Sequence, residues 1–106
     1  GIARFDFSDL FEQPLGAEDY LKVSETYHTV FIEGVPKMGR SKRNELKRLM
    51  NFIDVLYEGR NRLIISADAP PEKLYSGGDH AFEFERTISR LNEMQSVDYI
   101  EKIRSL

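Results

Sequence analysis

The run Thr29-Val30-Phe31-Ile32-Glu33-Gly34-Val35-Pro36, followed by Ser41 to Glu58 and then by Arg62-Leu63-Ile64-Ile65-Ser66-Ala67, decides the fold. Thr29 to Ile32 is β-branched and aromatic without polar interruption, and Gly34 and Pro36 close it. Such a run predicts a central strand buried on both faces. Between Ser41 and Glu58 the apolar residues Leu46, Leu49, Met50, Ile53, Leu56 and Tyr57 recur at helical spacing. That spacing predicts a helix with Ser41 as its N-cap and Gly59 as its stop. Leu63-Ile64-Ile65 reads as a second buried strand. Strand, helix, strand predicts a right-handed βαβ unit, because parallel neighbours need a crossover connection.

Outward from this unit the pattern continues. Arg4 to Phe7 alternates like a short strand, and Asp9 with Glu12 has capping-box spacing, with Pro14 ending that turn. Gly16 to Tyr27 predicts a helix with Ala17, Tyr20, Leu21 and Val23 apolar. After Pro70-Pro71 a short helical turn holds Leu74 and Tyr75, and Ser76-Gly77-Gly78-Asp79 is a loop. Ala81 to Gln95 predicts a helix with Phe84, Ile88 and Leu91 on one stripe, and Ser96 caps a last helix turning Tyr99, Ile100 and Ile103 inward. The expected fold class is α/β, a small and mostly parallel sheet with a βαβ unit flanked by helices. Residues 1–106 amount to a single domain-sized unit.

Composition narrows the function classes. With 41% hydrophobic and 31% charged residues, the chain reads as an ordinary globular sequence. No apolar run approaches the roughly 20 residues of a membrane-spanning helix. Without Cys, disulfides and thiolate metal sites are excluded, and His28 and His80 lack zinc-site spacing, so no metal is expected. Gly1 in place of Met predicts a fragment or a processed chain. The net charge of −3 conceals a basic stretch in which Lys37, Arg40, Lys42, Arg43, Lys47 and Arg48 face only Glu45 as counter-charge.

Three segments together resemble the C-terminal half of ZapE-type (AFG-like) AAA+ ATPases. They are Pro14 to Leu21 with Tyr27 to Pro36, Asn51 to Glu58 with Arg62 to Ala67, and Phe82-Glu83-Phe84-Glu85-Arg86-Thr87-Ile88-Ser89-Arg90-Leu91-Asn92-Glu93-Met94-Gln95-Ser96. The third has the most specific order of polar and apolar types. The resemblance implies that residues 1–106 are the C-terminal segment of a P-loop ATPase whose Walker motifs lie before Gly1, with ATP and Mg as cofactors of the parent protein. It implies hydrolysis coupled to remodelling or localising a protein partner, in bacterial cell division or mitochondrial quality control. It also implies a bacterial cytoplasmic location, or a mitochondrial one in a eukaryote. The implied partners are that protein and the upstream ATPase core, in an arrangement compatible with a homo-oligomer and with peripheral membrane association; nucleic acid is not expected. The residues agree on one point, since the chain has no G-x-x-x-x-G-K-[ST] loop and no apolar strand ending in Asp-Glu. The isolated chain is therefore expected not to be catalytic.

Four features are candidates for function, each beside a plainer reading. Ser66 and Asp68 follow a buried strand, where α/β sheets present ligand groups, or else they cap the Pro-led turn. Glu33 occupies a similar place but has Gly34 where a Walker B pair needs a second acid, so it reads as a turn residue. Arg40, Arg43 and Lys47 belong to the basic stretch, in which Lys42, Arg43, Lys47 and Arg48 sit in the first half of a helix against its dipole; the stretch fits an acidic partner, a lipid headgroup, a phosphate or a solvated face. Arg86 and Arg90 share one helix face, either in a surface ladder with Glu83 and Glu93 or, as the resemblance implies, as arginines that neutralise phosphate charge. His28, with no nucleophile near it in sequence, reads as a packed, hydrogen-bonded histidine. A second function fits the composition alone: a free-standing, non-catalytic α/β protein-interaction module with a basic patch.

Overall fold

In a computed structural model, which describes residues 1–95, the chain runs β1 (Ile2–Asp6), α1 (Phe7–Phe11), α2 (Ala17–Thr26), β2 (Thr29–Val35), α3 (Arg43–Glu58), β3 (Arg62–Ala67) and α4 (Ala81–Met94). Single 3-10 turns occupy Arg40–Lys42 and Pro71–Lys73. The expected last helix beyond Ser96 lies outside the described residues. The strands lie in the order β1-β2-β3 with both pairs parallel, so β2 is the central strand and the βαβ unit is present.

That order determines where the helices go. Right-handed crossovers that step across a sheet in one direction lay their helices on a single face. Here α1, α2 and α4 all pack against α3. Under this layer the core holds Val30 and Ile32 of β2, Leu46, Leu49, Phe52, Ile53 and Leu56 of α3, and Phe84, Leu91 and Met94 of α4. Phe11, Tyr20 and Phe52 form an aromatic knot, with centroid separations of 5.0 to 6.2 Å. Edge and tilted contacts of this kind add to the area they bury.

The opposite face is largely open, which corrects the expectation of burial on both sides. Register places Arg4, Phe31 and Ile64 in one row across the sheet, and Ile2, Thr29 and Arg62 in the next row on that face, where Thr29 is buried at 6% exposure. Ile2 is 63% and Ile64 44% exposed, and Phe31 is only half-buried, with the Arg4 guanidinium 4.8 Å above its ring. The same Arg4 donates to Glu33 at 2.8 Å. An uninterrupted apolar run is common to a strand with two covered faces and to one with a face still uncovered, so the sequence could not separate them.

Three boundaries also differ from expectation. Gly34 does not close β2: its φ of 74° makes a bulge between Ile32 and Val35, after which Val35 turns into the core. Only glycine takes that backbone without strain. The first helix starts a turn earlier than Asp9, since the Asp9 carboxylate accepts the Asp6 N–H at 3.3 Å. Ser41 is not the cap of α3 but lies within the 3-10 turn that leads into it, and Lys42 stands at the N-cap without a side-chain bond. At the far end of α3 Gly59 has φ −79°, and Arg60 takes the left-handed position at 56°. Gly59 answers a different demand, because a Cβ there would collide with Ser24 Oγ and would lie 2.6 Å from Asn61 Oδ1.

Candidate functional site

The three parallel strands end on the same side, at Asp6, Val35 and Ala67, the edge at which open α/β sheets hold ligands. Two grooves open there. One, of about 390 Å³ between the ends of β1 and β2, is bordered by Asp6, Ser8, Glu12, Glu33 and Lys42. The other, of about 380 Å³ beyond β3, is bordered by Ile65, Asp68, Pro70, Leu74 and Leu91. Ser66 is exposed on β3, and Asp68 just beyond it donates its backbone N–H to Val35 O at 2.9 Å. Neither caps the Pro71–Lys73 turn, whose N-cap is Pro70 without a side-chain bond, so the capping reading is corrected.

The groove between the ends of β1 and β2 does not suit a triphosphate. After β1 the backbone passes from Asp6 directly into α1 with no glycine, and the groove beside it carries Asp6, Glu12 and Glu33 against one Lys42. Those carboxylates repel a triphosphate, and the direct passage from β1 into α1 leaves no glycine loop there to cradle it. Of the glycine pair, Gly77 packs on Tyr75 so closely that a Cβ would strike the hydroxyl. Among the described residues no group of three His, Cys, Asp or Glu could hold a metal ion.

The two arginines singled out from sequence are brought together, on a partner that sequence spacing did not reveal. Asp54 of α3 accepts from Arg86 Nη2 at 3.1 Å and from Arg90 Nη1 at 2.5 Å. Arg90 also lies 4.8 Å over the Tyr57 ring, and the Tyr57 hydroxyl donates to Glu93 at 2.6 Å. That hydrogen bond to a carboxylate is the main cause of a raised Tyr57 pKa. The expected ladder with Glu83 and Glu93 is thus replaced by a cluster that ties α4 to α3. Within it the arginines are unequal: the Arg90 side chain is 23% exposed and Arg86 62%. Arg90 is fixed by stacking and pairing, whereas the Arg86 side chain is held by one bond and stays largely exposed.

The basic stretch separates into parts. Arg48 is half-buried and donates to Phe11 O at 2.9 Å, satisfying a carbonyl at the end of α1. Arg43 reaches Asp79 at 3.3 Å across the loop before α4. Arg40 and Lys47 are exposed, and Lys47 stands one turn along α3 from Arg43. Arg40 and Arg43 lie beside the Ser76 to Asp79 loop, and Lys37 is exposed as well. His28 is exposed rather than packed, and its Nδ1 meets Thr29 Oγ1 at 2.7 Å.

Sequence reading missed two buried polar sites. Asn61 is 3% exposed and donates from Nδ2 to Ser24 O at 3.0 Å and Tyr27 O at 2.6 Å, joining α2 to the start of β3. A lone Asn after a helix reads as a turn residue, and no sequence signal marks it as a knot. The Tyr75 hydroxyl is buried with no hydrogen-bond partner among the described residues. No helix among those residues is long and apolar enough to cross a membrane.

Comparison with known proteins gives a consistent result. A sequence profile described as AFG1-like ATPase matches residues 1–103. The chain is 36% identical over 96 residues to the cell division protein ZapE of Escherichia coli, covering 91% of this chain and 26% of that protein. It is 31% identical over 130 residues to lactation elevated protein 1 homolog B of Danio rerio, covering 92% of this chain and 26% of that protein. The chain thus spans about a quarter of the length of these curated relatives. No solved structure matches it.

Proposed function

The chain belongs to the AFG1-like ATPase family, and from this we propose that residues 1–106 are the C-terminal segment of a longer AAA+ ATPase, in which they complete or regulate a nucleotide site formed elsewhere. The observation that carries the proposal is a family match over nearly the whole chain, joined to a sheet edge whose acids and lack of a glycine loop leave no phosphate cradle. In this reading the parent binds ATP and Mg, acts in the cytoplasm or in a mitochondrion, and couples hydrolysis to remodelling or localising a protein partner. The similarity to a cell division protein supports that direction. Arg40, Arg43 and Lys47 are the contact we assign to an acidic partner.

Arg86 is the residue we assign to the nucleotide of the parent, within the chain or across a subunit boundary. Its 62% exposed side chain leaves the planar guanidinium accessible, and Asp54 holds it from one side. Lys carries the charge without the fork. In the full-length ATPase, Arg86→Lys is expected to lower turnover at least about tenfold with little change in Tm. Wild-type turnover, or a loss accounted for by unfolding, returns Arg86 to a purely structural role. Calorimetric titration of the isolated chain with magnesium-ATP is expected to give no binding; a micromolar Kd with turnover overturns the proposal. The free-standing interaction module is the second reading, favoured by the exposed basic patch. A phosphate loop upstream in the reading frame decides for the ATPase, and an initiator Met immediately before Gly1 decides for the module.

A further inference from the structure

We infer that the bare face of the sheet is an internal docking surface, covered in the parent protein by one amphipathic helix from the segment that precedes Gly1. The inference rests on the functional reading above, in which such a segment exists. All-parallel sheets are found almost only with both faces covered. This one is wound in a single direction, so the helices of residues 1–95 share one side and none of them reaches the other. The uncovered face carries apolar surface, with Phe31 and Ile64 adjacent in register and Ile2 in the neighbouring row. Ile64 is 44% and Ile2 63% exposed.

Position selects the occupant. The Gly1 carbonyl accepts the His28 and Thr29 N–H groups at 3.1 and 3.3 Å, so a segment preceding residue 1 joins the molecule at the start of β1, next to Ile2. The described chain ends instead on α4, in the helix layer on the far side. About three quarters of the length of the curated relatives falls outside the matched region, which is ample chain for a helix. Dimensions suit a single helix: three strands span about 10 Å and a helix with its side chains is roughly 10–12 Å wide. The chemistry expected of it is an apolar stripe on Phe31 and Ile64, with a carboxylate facing exposed Arg62.

The test is thiol labelling in the full-length parent, with its other cysteines replaced. Ile64→Cys is compared with Phe82→Cys, whose parent residue on α4 is 83% exposed. Within residues 1–95 the exposures of the two sites differ only about twofold. Labelling of Ile64→Cys at least about tenfold slower than Phe82→Cys, unchanged on dilution, supports the inference. Rates within about threefold overturn it, and so does protection that is lost on dilution, which assigns the face to a second copy. If Ile64→Cys fails to fold, Ile2→Cys carries the same comparison. A parent that hydrolyses ATP but labels freely at residue 64 overturns this inference alone; a protein without an upstream phosphate loop overturns the functional reading.

Discussion

Tyr20 is 1% exposed, lies 5.0 Å from the Phe52 ring, and donates its hydroxyl to Leu10 O at 2.9 Å. Burial is the main cause that pushes its pKa from 10.0 up to about 12, with Arg48 opposing and Asp19 adding to the rise. The folded state therefore holds this proton more tightly than the unfolded chain does. The stabilisation is complete below pH 10 and is lost as pH rises from 10 toward 12. Tyr20→Phe is expected to cost about 1 kcal/mol at pH 7, because Leu10 O loses its donor. The same variant should show a shallower fall in stability between pH 10 and 12 in urea titrations; an unchanged slope places the alkaline sensitivity on other tyrosines. In sequence Tyr20 was legible only as one of four apolar residues of α2, of which Ala17 and Leu21 are exposed. Its acceptor was not, because nothing in the spacing of α2 shows which carbonyl from another segment meets the ring's far end. The limit at Asp54 was of the same kind: Arg86 and Arg90 were visible as a pair, but their acceptor lies on a different helix, and only helix-local acids could be seen.

Among the elements, α3 was the most legible, since its apolar spacing reflects one buried face and Leu46, Leu49, Ile53 and Leu56 are all at or below 1% exposure, although Phe52, which that spacing passed over, is fully buried too. Its ends were less so. Capping depends on backbone geometry as well as residue type, and at this helix the suitable side chain, Ser41, is displaced from the N-cap by a 3-10 turn. The C-terminal end gives a testable inversion of the usual glycine rule. Gly59→Ala should destabilise by about 1–3 kcal/mol through overpacking against Ser24 and Asn61. Arg60→Gly, next to it, should stabilise by about 0.5 kcal/mol by relieving the left-handed backbone at φ 56°. Both are read from Tm or from the denaturation midpoint. The reverse order of effects would mean that residue 59 rather than residue 60 is the strained position.

For the whole molecule, charge and topology act separately. The exposed cations Arg40, Arg43 and Lys47 sit on a chain of net charge −3, so a partner drawn to them must approach an otherwise acidic body. Arg43→Glu with Lys47→Glu should weaken association with an acidic partner at low salt and matter less near 0.5 M, while Tm changes little. Affinity unchanged at low salt assigns these side chains to solvent. The α/β class and the parallel βαβ unit were readable because crossover helices and apolar runs alternate along the chain. The bare face was not, since it depends on which side successive crossovers fall. One-way winding has a consequence for biosynthesis: the order in which a ribosome delivers the strands is the order in which they lie across the sheet. At about 5–20 residues per second, each growing edge waits a few seconds for the next strand, and the strand that arrives is always the correct neighbour. Among the described residues no strand has to be inserted between two already paired, so assembly of this sheet can keep pace with synthesis.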